Sequence, residues 1–295
     1  MIRLFGIAAG LVFTLVVLLA FISGAYTAAT DPTPESVDHV FHLHPHEPEG
    51  GYSFTGPVGT WDLAQLQRGY KVYKEVCAAC HSMKFVAFRD LGELGYDEGQ
   101  VKAIAASVQV PGVNPDTGEE TSRAATPTDY FPSPYPNEVA AKAANGGKVP
   151  PDLSLITKAR EDGTDYVYSL LTGYRDPATF KLENGESLHE AFPDWSVPPG
   201  TYFNPYFSAL AIGMPPPLTS EGQVTYDDGT KATIPQMSKD VSAFLTWTAE
   251  PKLVKRKQTG WPVVLFLIFA SVLAYFAKNH VWAAVKPKKK ASRTD

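Results

Sequence analysis

The sequence predicts a mainly α-helical domain with long loops, carried between two apolar helices at its ends. Three observations lead there. Two long runs near the ends of the chain, Leu4–Thr30 and Thr259–Ala277, carry no charge. Two stretches between them, one after Asp62 and one after Pro235, place apolar residues at helical spacing. The 295-residue chain also holds 25 prolines and 23 glycines, which favour turns over long helices. The expected layout is a signal peptide or uncleaved anchor at 1–30, one exported domain of ordinary size at 31–250, and a membrane helix with a basic tail at 251–295.

Charge follows the same division. The formal net charge is −5, but residues 251–295 carry ten Lys or Arg against one Asp, and residues 1–30 carry only Arg3. The body 31–250 therefore holds a net charge of −15. Such a surface attracts a basic partner, although acidic residues also serve simply to keep a domain soluble. No nucleic acid is expected as a partner.

In chain order, Arg3 followed by an apolar run and small residues near Ala25–Ala29 has the layout of an export signal. The run approaches spanning length, and its best cleavage site, Thr27-Ala28-Ala29, is poor, which favours an uncleaved anchor. Asp31–Thr60 reads as an extended lead-in. Its His39, His42, His44 and His46 alternate but show no closing metal geometry, and they are expected to be solvated. Asp62 with Gln65 resembles a capping box. Leu63, Leu66, Tyr70 and Tyr73 then form one apolar face, with Gly69 inside it. A glycine there costs about 1 kcal/mol against alanine, which a close approach by another backbone would justify.

That helix runs into Cys77-Ala78-Ala79-Cys80-His81. Two cysteines two residues apart with a histidine directly after them read as a c-type haem attachment site. Each thiol can add to one vinyl group, and the adjacent imidazole becomes the proximal iron ligand. A zinc site would need further Cys or His at suitable spacing, and a redox C-x-x-C needs a thioredoxin-like βαβ context. These are the chain's only two cysteines, so none is left for a structural disulfide.

Beyond the motif the signals are short. Residues 91–145 are broken up, with a turn at Gly112–Gly118 and a proline-rich stretch at Asp129–Asn137. Glu138–Ala144 reads as a short helix capped by Asn145-Gly146-Gly147. Leu153–Leu171 is expected to make two helices around Asp162-Gly163. Pro193–Met214 is rich in aromatics and prolines, which suits either packing over a flat cofactor or an ordinary loop core. Asp227-Asp228-Gly229 suggests a small hairpin between Val224–Tyr226 and Lys231–Thr233. A second long helix spans Pro235 to Glu250, with Met237, Val241, Phe244, Leu245 and Thr248 as its buried stripe. Thr259–Ala277 is just long enough to cross a membrane, with Trp261, Tyr275 and Trp282 as belt residues. Lysines and arginines flank both of its ends, so the export signal sets the orientation, with the body outside and the C-terminus inside.

An iron with two strong protein ligands is suited to moving one electron. The candidates opposite His81 are Met1, Met83, Met214, Met237 and His189. Met214 stands in an irregular stretch before Pro215, Pro216 and Pro217, which stiffen the backbone as a weak thioether bond requires. On the residues alone, a free-standing membrane cytochrome, an oxidase haem subunit and a gas-binding haem protein stay open. The first would copurify without b-type haem, the second with oxidase haem and copper, and the last would bind carbon monoxide when reduced.

Several stretches in order narrow this. Leu43-His44-Pro45, the run from Gln67 to Met83, Pro150-Pro151-Asp152-Leu153-Ser154, Leu170–Tyr174, Asn204-Pro205-Tyr206-Phe207, Met214–Pro217 and Ala249-Glu250-Pro251 together resemble the cytochrome c1 family. That family provides the haem subunit of the ubiquinol–cytochrome c oxidoreductase (bc1) complex. The resemblance implies a class I cytochrome c-like fold with long loop insertions. It implies one haem c on Cys77 and Cys80, with His81 and Met214 as iron ligands. Arg160 and Tyr166 would partner the haem propionates, since a guanidinium can hold a carboxylate through two hydrogen bonds. It also implies a close helix crossing between Gly69 and Phe244–Leu245. Electrons would pass from a Rieske iron–sulfur protein to a basic cytochrome c, with cytochrome b as a further partner and no catalysis by this chain alone. The haem domain would lie in the periplasm of a bacterial-type inner membrane. Some bacterial members carry a disulfide that this chain lacks, so packing through Trp195 is expected to hold Asp176–Gly200.

Overall fold

The computed structural model describes residues 2–31 and 36–285. Met1 and the basic tail residues Lys286, Lys288, Lys289, Lys290 and Arg293 lie outside the described residues. The architecture is mainly helical. Helix α1 (Ile2–Thr30) is followed by the short α2 (Val37–Phe41) and then by α3 (Leu63–Val72). Helices α4 (Glu98–Ala106), α5 (Glu138–Ala144), α6 (Gly163–Thr172) and α7 (Leu188–Ala191) are set among loops. Helix α8 (Ile234–Ala249) closes the domain, and α9 (Leu253–Trp282) leaves it. Strands β1 (Gln109–Val113) and β2 (Glu120–Ala124) pair antiparallel, as do the two-residue strands β3 (Tyr202–Phe203) and β4 (Ala211–Ile212).

The centre of the domain is the contact between α3 and α8. A Cβ added at Gly69 would lie 2.1 Å from the Asp240 carbonyl oxygen and 2.7 Å from the Phe244 Cβ. Only glycine lets the two helices approach so closely. Asp240 is fully buried at this crossing. Its carboxylate accepts from Arg68 Nε at 2.9 Å, Gln236 Nε2 at 2.8 Å and Gln65 Nε2 at 3.2 Å. A buried charge needs such partners, because an unpaired one would leave the core. Around the polar knot, Tyr70 and Tyr73 each pack with Phe131 and Phe244, with ring centroids 5.7 to 6.1 Å apart.

Several local expectations hold with changes. Asp62 accepts from Gln65 N at 3.1 Å, but the Gln65 side chain goes to Asp240 and not back to the cap. Leu63 is exposed on the expected apolar face, while Leu66, Tyr70 and Tyr73 are buried. Thr233 caps α8 by accepting from Gln236 N at 3.2 Å, and the proline that follows opens the helix. All five residues of its expected stripe are buried.

Other expectations fail for physical reasons. Residues 153–162 form turns, so α6 is the one helix of that region. Ser154 N donates to Asp152 Oδ1 at 2.9 Å, a local bond that competes with helix formation. No strands form around Asp227-Asp228, because those carboxylates pair with Lys71 at 2.9 Å and Arg68 at 2.6 Å on α3. The turn expected near Gly112–Gly118 joins β1 to β2. Helix α4 was not expected, although Asp97 and Gln100 make a full reciprocal capping box at its start. The Asp176–Gly200 segment packs on Phe41, Phe203 and Leu210 through its own buried Leu188, with Trp195 set edge-on to Phe203 at 5.8 Å.

Helices α1 and α9 are each long and apolar enough to cross a membrane and bury no residue in the domain. The start of α9 is tied to the head. Lys257 Nζ donates to the Phe54 and Gly56 carbonyls at 2.8 and 2.7 Å, and Trp261 Nε1 donates to Pro57 O at 3.2 Å. Glu250 pairs with Lys158 and Arg256.

Replacing Gly69 with alanine forces α3 off α8. Overpacking of this kind costs about 3 kcal/mol. Chemical unfolding of the purified full-length protein in detergent, read against wild type, checks this, and an unchanged midpoint would contradict the crossing geometry.

Candidate haem site

Helix α3 does not end where its α pattern stops. A π-helical turn, Tyr73–Cys77, extends it, with Ala78 N donating to Tyr73 O at 2.8 Å. A one-residue expansion of this kind re-aims the side chains that follow it. Cys80 N and His81 N then both donate to Cys77 O, at 3.1 and 2.9 Å. The turn so formed gathers Cys77, Cys80 and His81 at one end of α3.

Both cysteines are free, Cys77 half-buried against the core and Cys80 exposed. Burial, with Cys80 adding to it, pushes the Cys77 thiol up to about 12. That is the opposite of the lowered value a redox or nucleophilic thiolate requires. Among the described residues, no three of His, Cys, Asp and Glu gather into a metal cluster around the pair.

The imidazole is held by one nitrogen. His81 Nδ1 lies 2.8 Å from Pro151 O. A carbonyl only accepts, so Nδ1 carries the proton and Nε2 keeps its lone pair. Burial pulls the His81 imidazole below its ordinary range, against the pull of the Pro151 carbonyl and Asp152. A neutral ring with a free Nε2 is the form that ligates iron. Beside it a cleft of 420 Å³ is lined by Cys80, Ser82, Tyr135, Pro150 and Asp152, among others.

The methionines separate by burial. Met83 and Met237 are wholly enclosed in the main apolar core. Met214 is only partly buried, in the irregular run after β4. Its carbonyl accepts from Tyr174 Oη at 3.0 Å, just past the end of α6. His189 is exposed on the four-residue α7. The Met214 loop and the His81 partner segment converge through Lys148, whose side chain lies 2.8 Å from where a Gly213 Cβ would stand.

Arg160 is exposed and donates to Ala159 O at 2.9 Å. It also reaches the hydroxyl of half-buried Tyr166, whose value burial raises while Arg160 lowers it. Tyr174 is raised by burial, with neighbouring Tyr166 adding to the shift. Arg160 thus reaches Tyr166, and Tyr174 holds the Met214 backbone.

Residues with no role assigned from the sequence fasten the neighbouring elements. Fully buried Asn204 donates to Leu170 O at 2.8 Å and accepts from Tyr206 N at 3.1 Å, fastening β3 to α6. His46 is exposed, as expected, while its backbone is tied to buried Ser169, whose Oγ accepts from His46 N at 2.9 Å. Leu43 N donates to Pro205 O at 2.7 Å, so the lead-in straps across this end of the domain. The donor set of two thiols, one oriented imidazole and a loop thioether fits an iron porphyrin.

Comparison with known proteins agrees. Residues 52–285 match the model of the Cytochrome C1 family. Cytochrome c1 of Rhodospirillum rubrum is 41% identical over 280 residues, covering 92% of this chain and 99% of that protein. The mitochondrial heme protein cytochrome c1-2 of Solanum tuberosum is 42% identical over 270 residues, covering 92% and 96%. Cytochrome b/c1 of Bradyrhizobium diazoefficiens is 48% identical over 244 residues, which is 80% of this chain but 35% of that longer protein. With most of its length matched and its attachment motif in place, the chain belongs to the cytochrome c1 family of haem-containing electron carriers.

Proposed function

We propose that this protein is the haem-carrying subunit of a bc1 complex, accepting one electron at a time from a Rieske iron–sulfur protein and donating it to a basic cytochrome c. The observation that carries the reading is His81, held through Nδ1 with Nε2 free, directly after two unpaired thiols. Haem c, when bound, supplies an iron that cycles between two oxidation states. Cys77 and Cys80 would hold it covalently, and His81 and Met214 would ligate its iron. Two protein ligands keep the coordination shell the same in both states, which suits transfer over chemistry at the iron. Arg160 and Tyr166 bind the propionates, and a charged guanidinium stabilises carboxylates in a partly buried place.

The remaining parts follow from the layout. Residues 1–30 act as export signal or anchor, 31–250 as the periplasmic haem domain, and 251–295 as the membrane anchor with a cytoplasmic tail. Cytochrome b and the Rieske subunit are the membrane partners. The charge of −15 on residues 31–250 gives a docking field for a basic acceptor.

Two outcomes test the reading. Met214→Leu keeps the covalent haem, lowers its reduction potential and lets the reduced protein bind carbon monoxide, as a redox titration and a visible spectrum would record. An unchanged potential would assign the sixth position to another residue. Raising salt from about 10 to 200 mM shortens the Debye length from about 30 Å to below 10 Å and slows electron transfer to a basic cytochrome c by about tenfold. A flat salt profile in stopped flow would remove the acidic body from docking.

A further inference from the structure

Two irregular segments, 81–85 and 150–154, lie side by side at the site without forming a sheet. Proline explains why. Pro150 and Pro151 have no N–H, so a backbone ladder cannot form at that point. Side chains take its place. Asp152 Oδ2 accepts from Ser82 Oγ at 2.8 Å and from Lys84 N at 2.9 Å. Its Oδ1 accepts from Ser154 N at 2.9 Å. Ser154 Oγ accepts from Phe85 N at 3.1 Å, and Leu153 N donates to Ser82 O at 2.9 Å. Both serines are buried, which partly shields their bonds, while the Lys84 N bond to Asp152 lies at the surface.

This clasp holds the chain directly after the Pro151 carbonyl. That carbonyl is the group that meets His81 Nδ1. We infer that Asp152 is the positioning residue for the His81 imidazole: by clasping Ser82 and Lys84 to its own segment, it holds the Pro151 carbonyl against Nδ1 and aims Nε2 at the iron. This rests on the reading of His81 as an iron ligand. A carboxylate near iron would also act simply as a charge. Reach separates the two roles, since Asp152→Glu keeps the charge and displaces both oxygens by one methylene.

The test uses the full-length, haem-loaded protein in detergent as wild type, Asp152→Glu, Asp152→Asn and Ser82→Ala. Paramagnetic NMR of the oxidised protein reads the His81 ring protons, and hydrogen exchange reads the Lys84 and Phe85 amides. Asp152→Glu is expected to shift the His81 ring signals and to speed exchange at Lys84 by roughly ten- to hundredfold, the loss of a hydrogen bond to a charged group, and at Phe85, bonded to the Ser154 hydroxyl, by less. Ser82→Ala, which leaves the charge in place, is expected to move both readouts the same way by less, and it keeps the test open if the Asp152 variants fold poorly. Unchanged His81 signals and exchange in both Asp152→Glu and Ser82→Ala, with a shifted potential only in Asp152→Asn, would reduce Asp152 to a charge and overturn the inference. Absence of any iron-induced shift at His81 in wild type would instead remove the ligand assignment, and this inference with it.

Discussion

Helices α3 and α8 meet at Gly69, where a single added carbon would collide with the Asp240 carbonyl. Much of the rest depends on that contact. It fixes the direction of α3, and α3 ends in the turn that presents Cys77, Cys80 and His81. Asp240, buried and paired with Arg68, locks the rotation of the two helices about their crossing. Removing one partner of such a pair strands a charge in the core and costs about 3–5 kcal/mol. Arg68 also reaches Asp228, so the loop before α8 is drawn onto the same knot. The turn that carries Cys77, Cys80 and His81 therefore stands on the buried crossing of α3 and α8, while the Met214 loop is built from turns.

That loop is stiffened by different means. Leu210 is fully buried at a φ of 56°, a strained place for a branched side chain, which the Phe207 O to Leu210 N bond of 2.7 Å and the second apolar cluster hold in position. Asn204 and Tyr174 connect the loop to α6, and α6 packs on α8. Both sides of the site thus trace back to one helix. Glu250, Lys257 and Trp261 then couple the head to the membrane-length α9.

The parts of this arrangement written in contiguous residues were legible. Asp62 announces the start of α3 and Pro235 that of α8, Gly69 asks for a close neighbour, and the Cys77–His81 motif occupies five adjacent positions. The missed features depend on residues far apart in the chain. The His81 acceptor lies 70 positions away. Asp227 and Asp228 look like a hairpin turn until Lys71 and Arg68, 156 and 160 positions distant, claim their carboxylates. Leu153–Arg160 has helix-forming residues, but Asp152 and Ser154 turn their polar groups toward residues 82–85 and break the pattern. Helix α4 is a different case. Its capping box was plain in Asp97 and Gln100, and only its weak amphipathicity hid it.

The central claim is a covalent haem in a membrane complex that oxidises quinol. Detergent purification through a tag on the C-terminus, followed by a reduced-minus-oxidised visible spectrum of the eluate, tests it most directly. A c-type band accompanied by b-type bands, with quinol reducing both, is the expected result. A c-type band alone, or one accompanied by terminal-oxidase haems, would contradict the placement in a bc1 complex while leaving the attachment site standing.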